Sequence, residues 1–246
     1  MKNTIRRPVV LLGIVLALLL VAPAAAQAIT VYAAASLREA FPQISPNQTY
    51  NFAGSDSLQT QIERGAPADV FASAAPKQAQ ALFRAGLCTR PVTFATNVVV
   101  LLVPNGNPGN IKSVYSLQKY NRRLAVGTKT VPIGEYTRAL LARMRLSSIL
   151  TTNTVTLETN VSGITSKVAL GAVEGGFAYL TDARIVADRT EVIRLPTWAQ
   201  PPVRYQACVV RRDGVDTKTA EQFIDLLTGN KGRTVLKQGG FGLPPQ

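Results

Sequence analysis

The chain has 246 residues, 46% hydrophobic and 17% charged, with 18 Gly and 15 Pro, which excludes disorder, collagen and coiled coil and suits one large domain or two lobes. Histidine is absent and only Cys88 and Cys208 represent cysteine, which removes Ser-His-Asp and Cys-His nucleophile systems, imidazole metal sites, zinc fingers and iron–sulfur clusters. The net charge is +13, but the basic residues are scattered, with Arg122-Arg123 and Arg211-Arg212 only pairs; this reads as a solvated positive surface that steers anions, not as a nucleic-acid interface.

In chain order, Lys2, Arg6 and Arg7 precede an apolar run at 9–22, and Ala24 to Ala28 offers two A-x-A cleavage sites. This pattern predicts an export signal over residues 1–26. The run is short of the ~20 residues that span a bilayer, so a membrane anchor is the weaker reading. The signal carries three of the 27 basic residues and none of the 14 acidic ones, which brings +13 down to +10 for the exported chain. In an oxidising compartment Cys88 and Cys208 are expected to pair. The bond would close a loop of about 120 residues, worth about 4–5 kcal/mol on chain-entropy grounds.

Strands then alternate with helices. Strands are predicted at 29–33, 49–53 and 69–72, and a fully buried one at 97–103. Helices are predicted from the S-x-x-E box at 36–39, from 54 to 64, and from 76 to 85 with Pro at the first turn. A second set follows: strands at 123–127, 154–158 and 176–180, and helices at 132–145 and 162–171. A strand at 203–210 and a helix at 218–227 close the chain. The pattern predicts an α/β fold of two lobes, each a mostly parallel sheet flanked by helices, with the ligand in the cleft between them. The turn-rich stretches at 104–109 and 196–202 are read as the crossings. Residues 27–104 plus 203–246 then form the first lobe and 105–202 the second.

Hydroxyls and free amides gather where strands hand over to helices. Ser36 and Ser55 each follow a small-residue strand end, and the turns at Thr130 to Gly134 and Val161 to Gly163 open helices of the second lobe. Helix N-termini bind oxyanions through backbone N–H groups without any Lys or Arg. Plain N-capping by the serines is the competing reading. The carboxylates Glu39, Glu63, Asp69, Glu135, Glu158, Glu174 and Asp182 are dispersed, and no G-x-S-x-G, S-x-x-K or P-loop is present, so a carboxylate-dependent hydrolase is the remote alternative.

Five segments, ITVYAAASL at 29–37, FAGSDSLQTQIERGAPADVFASA at 52–74, RLAVGTKTVPIGEYTRALL at 123–141, NVSGITSKVALGAVEGGFAYLTDA at 160–183 and GFGLP at 240–244, resemble the periplasmic molybdate-binding proteins of molybdate ABC transporters. The resemblance covers essentially the whole exported chain, with the motifs in the same order. It implies a type II periplasmic binding protein fold that closes on molybdate or tungstate, taken as the oxyanion with no cofactor and no direct cation ligand. It also implies a membrane permease as partner, a monomer and no enzymatic activity. Carried over, it places oxyanion contacts at the hydroxyls and amides of Ser36 and Ser55, the amides of Ile133 and Val161, and the phenol of Tyr179. Two positions depart from the family pattern. Ile133 stands where Ala is usual, and Asp56 stands beside Ser55 where the family is neutral, read here as a helix-start acid facing solvent. The nearest rival function is a sulfate or other tetrahedral oxyanion carrier of the same fold.

Overall fold

The structure, a computed structural model, describes residues 28–245; the expected export signal at 1–26 lies outside them. The strands are β1 (Thr30–Ala34), β2 (Thr49–Ala53), β3 (Val70–Ser73), β4 (Val92–Asn97), β5 (Val99–Pro104), β6 (Arg123–Gly127), β7 (Thr154–Glu158), β8 (Gly175–Tyr179), β9 (Thr190–Arg194) and β10 (Val203–Val209). The helices are α1 (Ala40–Ile44), α2 (Ser55–Glu63), α3 (Pro76–Arg84), α4 (Pro132–Arg143), α5 (Ile149–Thr152), α6 (Val161–Ala169), α7 (Leu180–Ile185), α8 (Thr217–Thr228) and α9 (Asn230–Gln238).

Among the described residues these strands form two five-stranded sheets, ordered β2-β1-β3-β10-β4 and β7-β6-β8-β5-β9. β1 is parallel to β2 and β3, and β6 to β7 and β8. β10 and β5 run antiparallel to both of their neighbours, so each sheet is mixed where a mostly parallel one was expected. The cause is connectivity. β5 and β10 are the strands that enter each sheet from the other one, and neither arrives by the helical crossover that parallel pairing requires.

Apolar residues fill both faces of the first sheet. Val31, Ala33, Val70 and Ala72 face a core shared with Phe41, Phe223 and Leu236, while Tyr32 and Phe71 face Leu58, Ile62, Leu82 and the cysteines. Burial on two faces removes the alternation that a half-exposed strand would show. Cys88 and Cys208 are joined as a disulfide with Cα atoms 5.9 Å apart, and both are buried.

The chain passes from the first sheet to the second at Val98, and not in the turn at 104–109. The apolar run at 97–103 is therefore not one strand: Asn97 ends β4, and Val99–Pro104 forms β5 of the second sheet. Residues 99–104, assigned to the first lobe from sequence, thus pair with the second. Two side chains make the passage. Asn97 Oδ1 accepts the Val98 N–H at 2.9 Å, a local bond that replaces a ladder bond. Gln200, on the returning segment, accepts the Val99 N–H at 2.9 Å and donates to the Val99 carbonyl at 2.8 Å. The two crossings are thereby fastened side by side.

Candidate functional site

Ser36 lies just after β1, but the S-x-x-E box does not form. Residues Ala35–Leu37 make a 3-10 turn without side-chain capping, Glu39 is exposed, and α1 starts only at Ala40. The Ser36 hydroxyl is engaged instead by the Tyr205 hydroxyl, 2.9 Å away. Ser55 is also no cap. Gly54 holds the N-cap position of α2, and Ser55 Oγ accepts the Ala74 N–H at 3.1 Å, tying this turn to the end of β3. The capping reading of both serines is thus corrected: neither hydroxyl caps a helix.

In the second lobe Pro132 occupies the first position of α4, which leaves the Ile133 amide among the first-turn N–H groups that have no acceptor within the helix. Asn160 caps α6 by accepting the Gly163 N–H at 3.1 Å, so the Val161 amide is left at the helix end. Tyr179 ends β8 with its ring 1% exposed. Its ring meets Tyr136 and Tyr205 edge-on, at 6.4 and 6.0 Å between centroids. Among the described residues the Tyr179 hydroxyl has no hydrogen-bond partner. Burial, reinforced by Tyr205, Tyr136 and nearby carboxylates, holds its phenol well above the ordinary tyrosine range, so it remains a donor.

Ser36, Ser55, Ile133, Val161 and Tyr179 all line one cavity of about 20 Å³ between the two lobes. Ala34, Ala35, Ala53, Gly54 and Ala74 complete the wall on one side, and Val131, Pro132 and Asn160 on the other. No charged side chain is among these lining residues. The cavity is small and its donors are neutral. Small residues let the backbones approach. A Cβ on Gly54 would overlap the Thr159 carbonyl oxygen across the cleft.

Contacts beside the cavity join the lobes directly. Thr130 Oγ1 donates to Asp56 Oδ2 at 2.5 Å, Lys77 pairs with Glu135, and Gln78 Nε2 reaches the Thr130 carbonyl at 3.4 Å. Asp56 is therefore not the solvent-facing acid expected from sequence. One oxygen is held across the cleft and the other is buried against Gly54. Ile133 adds bulk to the apolar core and leaves its amide at the cavity. The dispersed carboxylates form no pair with each other: Asp69, Glu135, Glu158 and Glu174 are bound in ion pairs with Arg212, Lys77, Lys167 and Arg122. Asp182 is buried without an ion pair among the described residues, and desolvation pushes its carboxyl up to about 7 against the lowering effect of the Thr181 hydroxyl and its own backbone N–H.

Sequence reasoning missed Asn160 and Tyr205, and it picked out the turn at Thr130 without a role for its side chain. Asn160 carried a readable signal, since Asn directly before an apolar periodic run is a favoured N-cap. Tyr205 and Thr130 act through partners 169 and 74 residues away, and nothing local marks such pairs.

The family described as bacterial extracellular solute-binding protein matches residues 29–242. The molybdate-binding protein ModA of Mycobacterium tuberculosis is 36% identical over 229 residues, covering 89% of this chain and 86% of that protein. Two solved structures share the fold. The periplasmic molybdate-binding protein of Azotobacter vinelandii superposes with a TM-score of 0.76 at 23% identity, covering 88% of this chain and 100% of that one. The sulfate-binding protein SubI of Mycobacterium tuberculosis superposes at 0.73 and 16% identity, covering 87% and 86%. The match over nearly all the described residues, the two-lobed α/β fold and the donor-lined interlobe cavity agree: this chain belongs to the bacterial extracellular solute-binding proteins, which are exported carriers and not enzymes.

Proposed function

We propose that the chain captures molybdate as the fully deprotonated oxyanion between its lobes, takes tungstate as a second ligand, and delivers the anion to the membrane permease of an ABC transporter. The observation that carries this reading is the small cavity walled only by neutral groups, lined by three helix N-termini, two serines and a phenol with no partner among the described residues. Its tetrahedral dianion offers acceptors and no donors, and a dry ring of N–H and O–H groups suits it. The hydroxyls of Ser36, Ser55 and Tyr179 and the amides of Ser36, Ser55, Ile133 and Val161 are the contacts assigned to it. Helix ends supply the compensating positive potential, so no Lys or Arg is needed. Phosphate fits less well, because its remaining proton at neutral pH needs an acceptor and no carboxylate lines the wall. The likeness to molybdate-binding relatives supports the choice of anion.

Sulfate is the second reading, favoured by the likeness of fold to a sulfate-binding protein. Sulfate is as fully deprotonated as molybdate but smaller, so the spacing of the donors decides between them. In this proposal the protein works as a monomer, and residues 1–26 act as a cleaved export signal. The test is thermal unfolding with each anion at micromolar concentration. Binding to the native state raises stability by RT ln(1 + [L]/Kd), about 2.7 kcal/mol at a hundredfold excess over Kd. Molybdate and tungstate are expected to raise the melting temperature while sulfate and phosphate leave it unchanged. Equal stabilisation by sulfate contradicts the molybdate assignment.

A further inference from the structure

Behind the cavity wall lies a buried hydrogen-bond chain whose far end, at Asn97, is oriented by the backbone. Asn97, the last residue of β4, has its carbonyl oxygen committed to the Val98 N–H at 2.9 Å. Its amide nitrogen therefore faces the other way, donating to Thr181 Oγ1 at 2.9 Å and to the Tyr205 hydroxyl at 3.3 Å. Either oxygen could donate in the 2.9 Å contact between the Tyr205 hydroxyl and Ser36 Oγ; because Asn97 only donates to that phenol, Ser36 Oγ is the one acceptor among the described residues for the Tyr205 hydrogen, which favours donation from Tyr205. Ser36 Oγ is then an acceptor in that bond, and its own hydrogen is left to be donated. The side chains of Ser36 and Tyr205 are buried, at 4% and 0% exposure, and Ser36 lines the cavity.

Tyr205 is held in place by its neighbours. The register of β10 against β4 shifts between Tyr205 and Gln206, where Phe94 of β4 is the residue left without a partner. The ring is wedged edge-on between Phe94 and Phe241 at 6.1 and 5.4 Å. Desolvation raises the phenol well above its ordinary range, so it stays protonated at neutral pH.

We propose that Tyr205 and Asn97 are positioning residues which, through a one-way relay Asn97 to Tyr205 to Ser36, fix the Ser36 hydroxyl as a hydrogen-bond donor to the bound anion. This rests on the cavity being the oxyanion site. The relay begins where the chain leaves the first sheet, and through Thr181 it touches the helix that follows Tyr179. The donor orientation of Ser36 is thereby tied to the crossing between lobes. A free serine hydroxyl would instead have to give up rotational freedom, or a bond to Tyr205, each time an anion binds.

A double-mutant cycle read by calorimetric titration with sodium molybdate tests it. Tyr205→Phe keeps the ring and removes the relay hydroxyl; its affinity is expected to fall on the order of tenfold. Ser36→Ala is expected to fall at least as far. In the Ser36→Ala background, adding Tyr205→Phe is expected to change affinity by less than about twofold, because the group it acts through is gone. Asn97→Ala, which frees the Tyr205 hydroxyl to accept from Ser36, is expected to behave the same way and serves if Tyr205→Phe does not fold. Phe241→Leu loosens the packing around the Tyr205 ring without touching the relay, and its effect is expected to be independent of Ser36. An unchanged affinity in Tyr205→Phe overturns the proposal. So does a loss that persists in full on Ser36→Ala, which would make Tyr205 a packing residue only. If the wild-type protein gives no molybdate binding, the functional reading itself fails and the relay falls with it.

Discussion

Replacing Tyr179 with Phe separates ligand binding from packing more cleanly than any other change at the site. The side chain is 1% exposed and its ring contacts, edge-on to Tyr136 and Tyr205, survive the substitution. Only the hydroxyl is lost, and that hydroxyl has no partner among the described residues. An unsatisfied buried hydroxyl costs about 1–3 kcal/mol, so its removal leaves the protein without ligand at least as stable as before. A hydrogen bond to a charged partner contributes about 1.5–3 kcal/mol, so molybdate affinity is expected to fall about ten- to hundredfold. Most buried-residue substitutions lower stability and binding together; here the two move apart. Calorimetric titration with molybdate gives the affinity and urea unfolding without ligand gives the stability. Wild-type affinity in Tyr179→Phe, or a drop in ligand-free stability of more than about 1 kcal/mol, refutes the assignment of the phenol as an anion donor.

Three further outcomes are expected. Gly54→Ala has a backbone conformation that alanine adopts freely, with φ −64° and ψ 137°, yet its Cβ would overlap the Thr159 carbonyl oxygen across the cleft. Molybdate affinity should fall by more than about tenfold with little change in ligand-free unfolding, since a clash of this kind acts on lobe closure; equal loss of both would place the strain within one lobe. Reducing the Cys88–Cys208 bond, which spans 120 residues, should lower unfolding stability by about 5 kcal/mol on chain-entropy grounds, checked by urea unfolding with and without reductant. Asp182 keeps its proton in the folded protein up to pH about 7 but loses it near pH 4 when unfolded, so wild-type stability should drain away as pH rises through that window. Asp182→Asn should remove this loss. Its advantage over wild type should grow between pH 4 and 7, level off above, and reach on the order of 4 kcal/mol, measured by unfolding across pH.

The fold was largely legible because its parallel units announce themselves locally. The Gly54-Ser55 turn, Pro132 in the first turn of α4 and the small residues around Gly163 mark strand-to-helix junctions through backbone chemistry, and the structure brings those junctions to one cavity. The crossing at Val98 was not legible. An unbroken apolar run from Val98 to Val103 looks like one strand, and only the tertiary bonds of Asn97 and Gln200 show the chain changing sheets there. The two serines show the same limit at closer range. Capping was the competing reading of their types and positions, whereas their hydroxyls bond to Tyr205 and the Ala74 amide, partners brought near by sheet order. Asp56 was misread for that reason too, since its Thr130 partner lies in the other lobe. What stays local is readable in a sequence; what depends on which strands become neighbours is not.

The most direct test of the oxyanion site is a crystal structure with molybdate, in which anomalous scattering at the molybdenum edge locates the metal. One peak is expected per chain, inside the cavity between Ser36, Ser55, Ile133, Val161 and Tyr179. The anion's oxygens should lie within about 2.7–3.2 Å of those hydroxyls and amides, and farther than that from any Lys or Arg nitrogen. A peak elsewhere on the protein, or an anion in the cavity held by a basic side chain, would contradict the account.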